Sequence, residues 1–328
     1  MPIPLVAISL GDPAGIGPEL VAKVLQTRKI EGEYQPVVIG EPDVLLAGAA
    51  VAGVQLSTEL VDDTRSIPVG GEAVPVLRPK GVKDREHRGG INDKENGYDA
   101  AWCIAEALDP QNGFSSVVLA PMNKESFHNA GYDFADELQY MAHLTGSTRP
   151  ANIGVMDDVW TCPVSEHIPF SAIRDYVRTD LIYDRITILA KALVESGRGK
   201  PRLAVAALNP HAGEGGQLGR DEIDEIEPAV RKARSEGIAV DGPVPADMVF
   251  VLAVSGRYDG VVCMYHDQAT IPRKLYAKGR GCTVLYGLPV PVTTTAHGTA
   301  FDIAGKGQAN PGSLLDALTV AVDMARES

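Results

Sequence analysis

Three of the seven histidines follow directly on short apolar runs: VWTCPVSEH ends at His167, LAVAALNPH at His211 and GVVCMYH at His266. If these runs are parallel strands, their C-terminal ends share one sheet edge. That edge is where α/β folds bind ligands, so three imidazoles delivered there can converge on one ion. Neutral imidazole suits zinc best, and a site of this kind also takes cobalt, magnesium or manganese. The gaps between the histidines match no local metal signature, and one strand-end histidine alone is more often a polar loop residue; the inference rests on all three. His87, His128 and His143 sit in polar or helical surroundings and read as surface or packing residues. The segment Asn209 to Glu222, NPHAGEGGQLGRDE, surrounds His211 with four glycines. Glycines there let backbone N–H groups approach a ligand before a helix that starts near Asp221.

The elements that must position these residues read as α/β. Buried-strand patterns cover Leu5 to Leu10, Pro36 to Ile39, Ser116 to Ala120, Val159 to Pro163, Leu203 to Ala207, Gly260 to Met264 and Thr283 to Tyr286. Amphipathic helices are expected over Tyr98 to Leu108, Thr179 to Ser196, Asp221 to Ser235 and Ser313 to Glu327. The stretch from about Asp62 to Gly97 is rich in Gly, Pro and charge and reads as an irregular, solvated connection.

Composition excludes several classes of partner. A net charge of -13 on 328 residues repels nucleic acid and anionic lipid, and no local run of Lys or Arg offsets it. No window approaches the length of a membrane span, and the apolar start breaks at Gly11-Asp12-Pro13, so it reads as a first strand and not a signal peptide. The four cysteines, Cys103, Cys162, Cys263 and Cys282, fall singly in apolar surroundings, which fits a reduced cytoplasm.

Two longer segments carry a resemblance. GDPAGIGPE, Gly11 to Glu19, places glycines in a strand-to-helix turn with Pro18 at a first helical position, and HGTAFDIAGKGQANPGS runs from His297 to Ser313. Together they resemble the cofactor-side loops of the isocitrate and isopropylmalate dehydrogenase superfamily. With the strand-end histidines, GPVPAD (Gly242 to Asp247) and HDQ (His266 to Gln268), the chain is similar to the 4-hydroxythreonine-4-phosphate dehydrogenase family from about Ile8 to Ser313.

That resemblance implies an isocitrate/isopropylmalate dehydrogenase-like α/β/α fold of two subdomains with the active site in the cleft between them. Residues 1–127 plus 280–328 would form the NAD-binding subdomain, and 128–279 the metal, substrate and dimerisation subdomain. It implies NAD on Gly15, Gly17, His297, Thr299, Asp302 and Asn310, one divalent metal per site on His167, His211 and His266, and catalytic roles for Asp247, Asp267 and Lys274. It further implies a cytoplasmic homodimer in which His266 and Lys274 serve the neighbouring subunit's site. The chemistry is oxidation of a secondary hydroxyl on a small hydroxy acid, with β-decarboxylation. A bound cation lowers the cost of alkoxide character as hydride leaves, and an aspartate or lysine takes the hydroxyl proton. The late loop offers one cation, Lys306, against Asp302 and therefore favours NAD over NADP.

The chain departs from the family at the positions that grip the substrate. Glu137 and Leu138 stand where the family has a His-Thr pair, and Thr283 and Val292 where it has an asparagine and an arginine; Lys274 remains. A phosphate monoester wants several donors or cations, so these changes weaken the case for a phosphorylated substrate unless Arg273, Lys278 or Arg280 substitutes. Two alternatives follow: a dehydrogenase of an unphosphorylated substrate such as the cis-dihydrodiol of terephthalate, and a non-catalytic metal-containing binding protein.

Overall fold

The computed structural model describes residues 3–27, 34–67, 71–82 and 89–327. His87 lies outside them. The chain divides into two compact units, one of Met1–Pro150 with Cys282–Arg326 and the other of Ala151–Gly281.

The first unit opens with β1 (Leu5–Ser9), α1 (Gly17–Thr27), β2 (Gln35–Ile39), α2 (Pro42–Ala52), β3 (Thr58–Val61), β4 (Val74–Leu77), α3 (Lys94–Ala107), β5 (Ser116–Leu119), α4 (Lys124–Asn129) and α5 (Glu137–Thr145). The second unit follows with β6 (Ala151–Met156), β7 (Val159–Ser165), α6 (Ile173–Tyr176), α7 (Thr179–Glu195), β8 (Leu203–Ala206), α8 (Glu227–Ser235), β9 (Val240–Val244), α9 (Ala246–Val254), β10 (Gly260–Tyr265) and α10 (His266–Ala277). The chain then returns to the first unit as β11 (Cys282–Tyr286), β12 (Val292–Thr295) and α11 (Gly312–Glu327).

In the first unit the strand order is β3-β4-β2-β1-β5-β12-β11, parallel except for the antiparallel pair β11 and β12. In the second it is β6-β7-β10-β8-β9, parallel except for the β6–β7 hairpin. Strands covered on both faces read as continuous apolar runs, which is why β2, β5 and β8 are buried at every position. The first unit's core joins Val37, Ile39, Val117 and Leu119 to Ile104 of α3 and Met141 of α5. The second packs Ala204, Ala206, Val261 and Cys263 against Val249 and Phe250 of α9 and Ala269 of α10.

The expected strands are all present, with ends moved by one or two residues, but five more were not legible. β3 is largely exposed, β9 contains the Gly242-Pro243 pair, and β12 is the polar run VTTT, whose threonine hydroxyls find carbonyls of Ala317 and Leu119. β6 pairs with β7 through a tight turn in which Asp157 has φ 47°. β4 overturns part of the expected irregular segment from Asp62 to Gly97, because Val74–Leu77 is a fully buried strand. α3 also begins four residues before Tyr98, where Asp93 caps it by accepting from the Glu95 N–H at 3.0 Å.

All four cysteines are buried free thiols, and burial pushes the Cys162 thiol up to about 12. Among the described residues no helix is long and apolar enough to cross a membrane.

Candidate active site

In the second unit β7, β10 and β8 lie side by side and parallel, with β10 in the middle. Ser165 is level with Tyr265 in the ladder, so His167 and His266 leave adjacent strands at the same height. Their ring centres are 5.5 Å apart. Zinc–nitrogen bonds of about 2.1 Å set two imidazole centres on a tetrahedral ion ~5 Å apart, so this pair is spaced for one cation.

Two side chains lock the strand ends beneath the rings. The Ser165 hydroxyl donates to the Met264 carbonyl at 2.9 Å, joining β7 to β10. Gln268 accepts from the Met264 N–H and donates to the Ala207 carbonyl, both at 2.8 Å, joining β10 to the end of β8. HDQ thus supplies a staple as well as a histidine, a role its spacing does not announce.

His211 arrives differently. Residues 211–215 all have φ between 45° and 76°, forming one left-handed turn in which His211, Ala212 and Glu214 carry side chains. Left-handed backbone costs such residues roughly 1–2 kcal/mol each, so something must hold the turn. Buried Glu222 does so: Oε1 accepts from the Leu208 and Asn209 N–H groups at 2.9 and 2.7 Å, and Oε2 from the Asn209 side-chain amide at 3.0 Å. Glu222 was missed at the sequence level, where it reads as one more acidic residue of a charged helix.

The donor set suits a divalent cation. His211 Nδ1 is hydrogen-bonded to Glu214 at 2.7 Å and His266 Nδ1 to Asp267 at 2.8 Å, which turns each Nε2 outward. Carboxylate–imidazole pairs of this kind orient metal ligands and raise their basicity. Glu214, and Asp247 more weakly, raise the His211 pKa above its ordinary value. Among the described residues, however, no group of three or more His, Cys, Asp or Glu side chains is assembled closely enough to hold a metal ion. His167 and His266 are brought together in one chain; His211 does not join them there.

The acid and base candidates are also in the second unit. Asp247 is exposed in the first turn of α9 and, among the described residues, accepts no hydrogen bond. Asp267 and Lys274 share an exposed face of α10 with Ile271 and Leu275, which are 56% and 69% exposed.

In the first unit the two loops that carry the resemblance touch. The Ile16 N–H donates to the Thr299 carbonyl at 3.0 Å, and a Cβ on Gly15 would stand 2.9 Å from Thr299 Cβ, so only glycine permits the approach. Gly17 is likewise confined, because its Cβ would meet the Leu10 carbonyl oxygen at 2.2 Å. Lys23 pairs with Glu19 at 2.7 Å and donates to the carbonyls of Gly307 and Ala309, while Glu19 accepts from the Ala309 N–H at 2.8 Å. His297 and Asp302 are exposed; the Asp302 carbonyl takes the Lys306 ammonium, and Asn310 accepts from the Gly312 N–H at the start of α11. Pro18 is the second helical residue, because α1 begins at Gly17.

The expected substrate contacts divide. Leu138 and Val292, 3% and 0% exposed, are members of the first unit's core. Glu137 in the first turn of α5 and Thr283 in β11 are half-buried and keep accessible surface. His128 bonds the Phe134 carbonyl at 2.8 Å and His143 packs on the Phe134 ring, both as packing residues.

The profile of the family described as pyridoxal phosphate biosynthetic protein PdxA matches residues 32–321. A 4-hydroxythreonine-4-phosphate dehydrogenase of Desulfosudis oleivorans is 37% identical, covering 99% of this chain and 97% of its own. A crystal structure of 4-hydroxythreonine-4-phosphate dehydrogenase from Klebsiella pneumoniae superposes with a TM-score of 0.84 at 33% identity, covering 99% of this chain and 98% of the other. A terephthalate 1,2-cis-dihydrodiol dehydrogenase from Burkholderia xenovorans superposes with a TM-score of 0.68 at 26% identity, covering 98% of each chain.

Proposed function

The chain belongs to the PdxA family, and from that premise we propose that it is an NAD-dependent, divalent-metal-assisted dehydrogenase that oxidises a secondary hydroxyl of a small hydroxy acid, with β-decarboxylation of the keto acid formed. That it is an oxidoreductase acting on CH–OH follows from relatives that are dehydrogenases over its full length. The observation that carries the finer reading is the paired rings of His167 and His266, beside carboxylates that aim imidazole nitrogens outward.

His167, His211 and His266 would hold the cation, which when bound lowers the energy of an oxyanion on the substrate. Asp247, the acid beside His211 whose carboxylate accepts no hydrogen bond among the described residues, would take the hydroxyl proton, and NAD when bound would supply the hydride acceptor. Asp267 keeps its oxygen on His266 Nδ1 and sets that ring's orientation. Lys274, exposed on the same helix, meets a substrate anion. NAD is assigned to Gly15, Gly17 and the loop bearing His297, Thr299, Asp302 and Asn310, with Gly17 and Thr299 acting through the backbone they allow.

We infer a two-fold homodimer. Ile271, Leu275 and Tyr276 on α10 and Met248, Val251 and Val254 on α9 are exposed apolar side chains on the helices that carry Asp247, His266, Asp267 and Lys274. Apolar surface of this kind marks interfaces, and a second copy there would bring further ligands to an incomplete histidine set.

An unphosphorylated substrate is the second reading. Glu137 sits half-buried behind the Asp136 cap of α5, an acidic pair where a phosphate would need donors. NAD reduction measured over a panel of phosphorylated and unphosphorylated hydroxy acids and cyclic diols, with and without chelator, tests both. Turnover that needs a metal and only the phosphorylated members removes the second reading, and absence of NAD reduction with every member removes both.

A further inference from the structure

Three arginines far apart in the sequence, Arg202, Arg234 and Arg257, line one pocket of about 440 Å³ in the second unit. Leu203 and Val240, level with each other at the first positions of β8 and β9, form its apolar wall. Gly237, Ile238 and Ala239 supply the turn beside them. The pocket therefore sits at the N-terminal ends of these strands, whereas His211 follows the C-terminal end of β8. Four residues of β8 put roughly 13 Å of strand between the two ends, so this pocket is not part of the histidine edge.

Guanidiniums repel one another, and here they are drawn together by acceptors that leave some of their donors unused. Arg234 donates Nε to the Val240 carbonyl at 2.6 Å and Nη2 to Asp241 at 3.0 Å, which leaves Nη1 without an acceptor among the described residues. Arg202 donates Nη2 to the Gly256 carbonyl at 2.7 Å and stands 3.6 Å from Asp259, beyond hydrogen-bond reach. Its Nη1 is likewise unmet among the described residues. Arg257 lies 5.4 Å from the centre of the Tyr258 ring and 3.8 Å from Asp241, and donates to no carboxylate. Asp241 is the one carboxylate among the described lining residues, and it is shared by Arg234, Arg257 and the Tyr258 hydroxyl, which donates at 3.0 Å. Three cations around one carboxylate select an anion.

The shape of the donor set says which anion. One guanidinium fork satisfies a planar carboxylate, whereas forks arriving from three directions match a tetrahedral group with three peripheral oxygens. A phosphoryl group has those oxygens and close to two negative charges. A net charge of -13 on the whole chain opposes a long polyanion, so the occupant is small. The volume agrees, since small-molecule sites run from roughly 300 to 1,000 Å³.

We propose that this pocket binds the phosphoryl group of a small molecule, with Arg202, Arg234 and Arg257 as its donors, at the end of the sheet opposite the histidines. Arg202 and Arg257 have side chains 56% and 58% exposed, so glutamine at either position leaves the core untouched.

The test is titration calorimetry of the full chain at low salt with inorganic phosphate, glycerol 3-phosphate and malonate, in wild type, Arg202→Gln, Arg257→Gln, Arg231→Gln and Lys274→Ala. Wild type is expected to bind phosphate or its ester with Kd below about 1 mM, and malonate at least about tenfold more weakly. Arg202→Gln and Arg257→Gln should each weaken phosphoryl binding about tenfold or more at an unchanged melting temperature. Arg231→Gln, which removes an exposed arginine outside the pocket, and Lys274→Ala should bind as wild type does. Tighter binding of the ester supports a phosphorylated metabolite as occupant, and tighter binding of inorganic phosphate supports the free ion; both fit the phosphoryl site. Binding that survives both pocket variants and is lost in Lys274→Ala would overturn the inference by moving the phosphate to α10. Malonate bound as tightly as phosphate, or no saturable binding of either phosphoryl probe to wild type, also overturns it.

Discussion

Replacing Glu222 by alanine separates a positioning role from a merely acidic surface. Its side chain is 1% exposed and accepts three hydrogen bonds, two from consecutive backbone N–H groups at Leu208 and Asn209 and one from the Asn209 amide. Hydrogen bonds to a charged group contribute about 1.5–3 kcal/mol each, so the three together are enough to offset the roughly 3–6 kcal/mol of left-handed strain at His211, Ala212 and Glu214. Alanine removes all three bonds and leaves two partly buried donors unmet, a loss of roughly 2–4 kcal/mol once relaxation of the turn and water access are allowed for. Glutamine keeps one oxygen for the backbone donors and should cost about 1 kcal/mol or less.

Urea unfolding followed by circular dichroism reads the stability change. Competition with a chelating indicator reads metal affinity, expected to fall about 10- to 100-fold in Glu222→Ala and to recover in Glu222→Gln, as for other residues that orient a ligand from behind. Unchanged metal affinity in the alanine variant, with stability within about 0.5 kcal/mol of wild type, would refute the claim that Glu222 holds His211 in place.

Three further outcomes are expected. His211→Ala should remove the metal and lower turnover at least about a hundredfold with the circular dichroism spectrum unchanged, and equal activity of metal-free wild type and variant would contradict this. His211→Ala and His266→Ala, each inactive, should regain up to about half of normal activity when refolded together, whichever of the two histidines crosses to the other subunit's site; mixed dimers seen by mass but inactive would exclude a shared site. Burial pushes the Asp12 carboxyl up to about 6, so its neutral form favours folding below pH 4 and that contribution, up to about 3 kcal/mol, is lost as pH rises through 6. Asp12→Asn should therefore melt above wild type at pH 8 and level with it at pH 4, and equal melting temperatures at pH 8 would show that the buried carboxylate carries no such cost.

What the sequence made legible follows from how far each signal extends along the chain. Buried parallel strands advertise themselves as apolar runs, so β7, β8 and β10 and the histidines after them could be placed in advance. Strands covered on one face, or paired through their own hydroxyls as in β12, carry no such run. Leu138 and Val292 show a different limit. A substitution at a family's substrate position reads as altered recognition, whereas both side chains here are members of the first unit's core, a burial that their place in the motif does not announce. The staple made by Gln268 and the anchor made by Glu222 depend on strand ends meeting in space, which no local pattern encodes.

Backbone strain gives an argument for the site that needs no relatives. Seven non-glycine residues among those described have positive φ: Asp157, His167, His211, Ala212, Glu214, Lys278 and Ala300. Asp157 turns the β6–β7 hairpin and Lys278 ends α10, both ordinary places for left-handed backbone. The other five fall at two of the three strand-end histidines and in the loop that meets Gly15. Strain of this kind persists only where surrounding contacts over-determine it, and it gathers at functional sites because an aimed side chain is what it secures. Random loop irregularity would distribute these residues among the many exposed turns, most of which place glycine at the left-handed position instead. Their concentration at His167, at His211 and beside Thr299 ties the candidate ligand site and the candidate cofactor loop to the same physical signature, one in each unit.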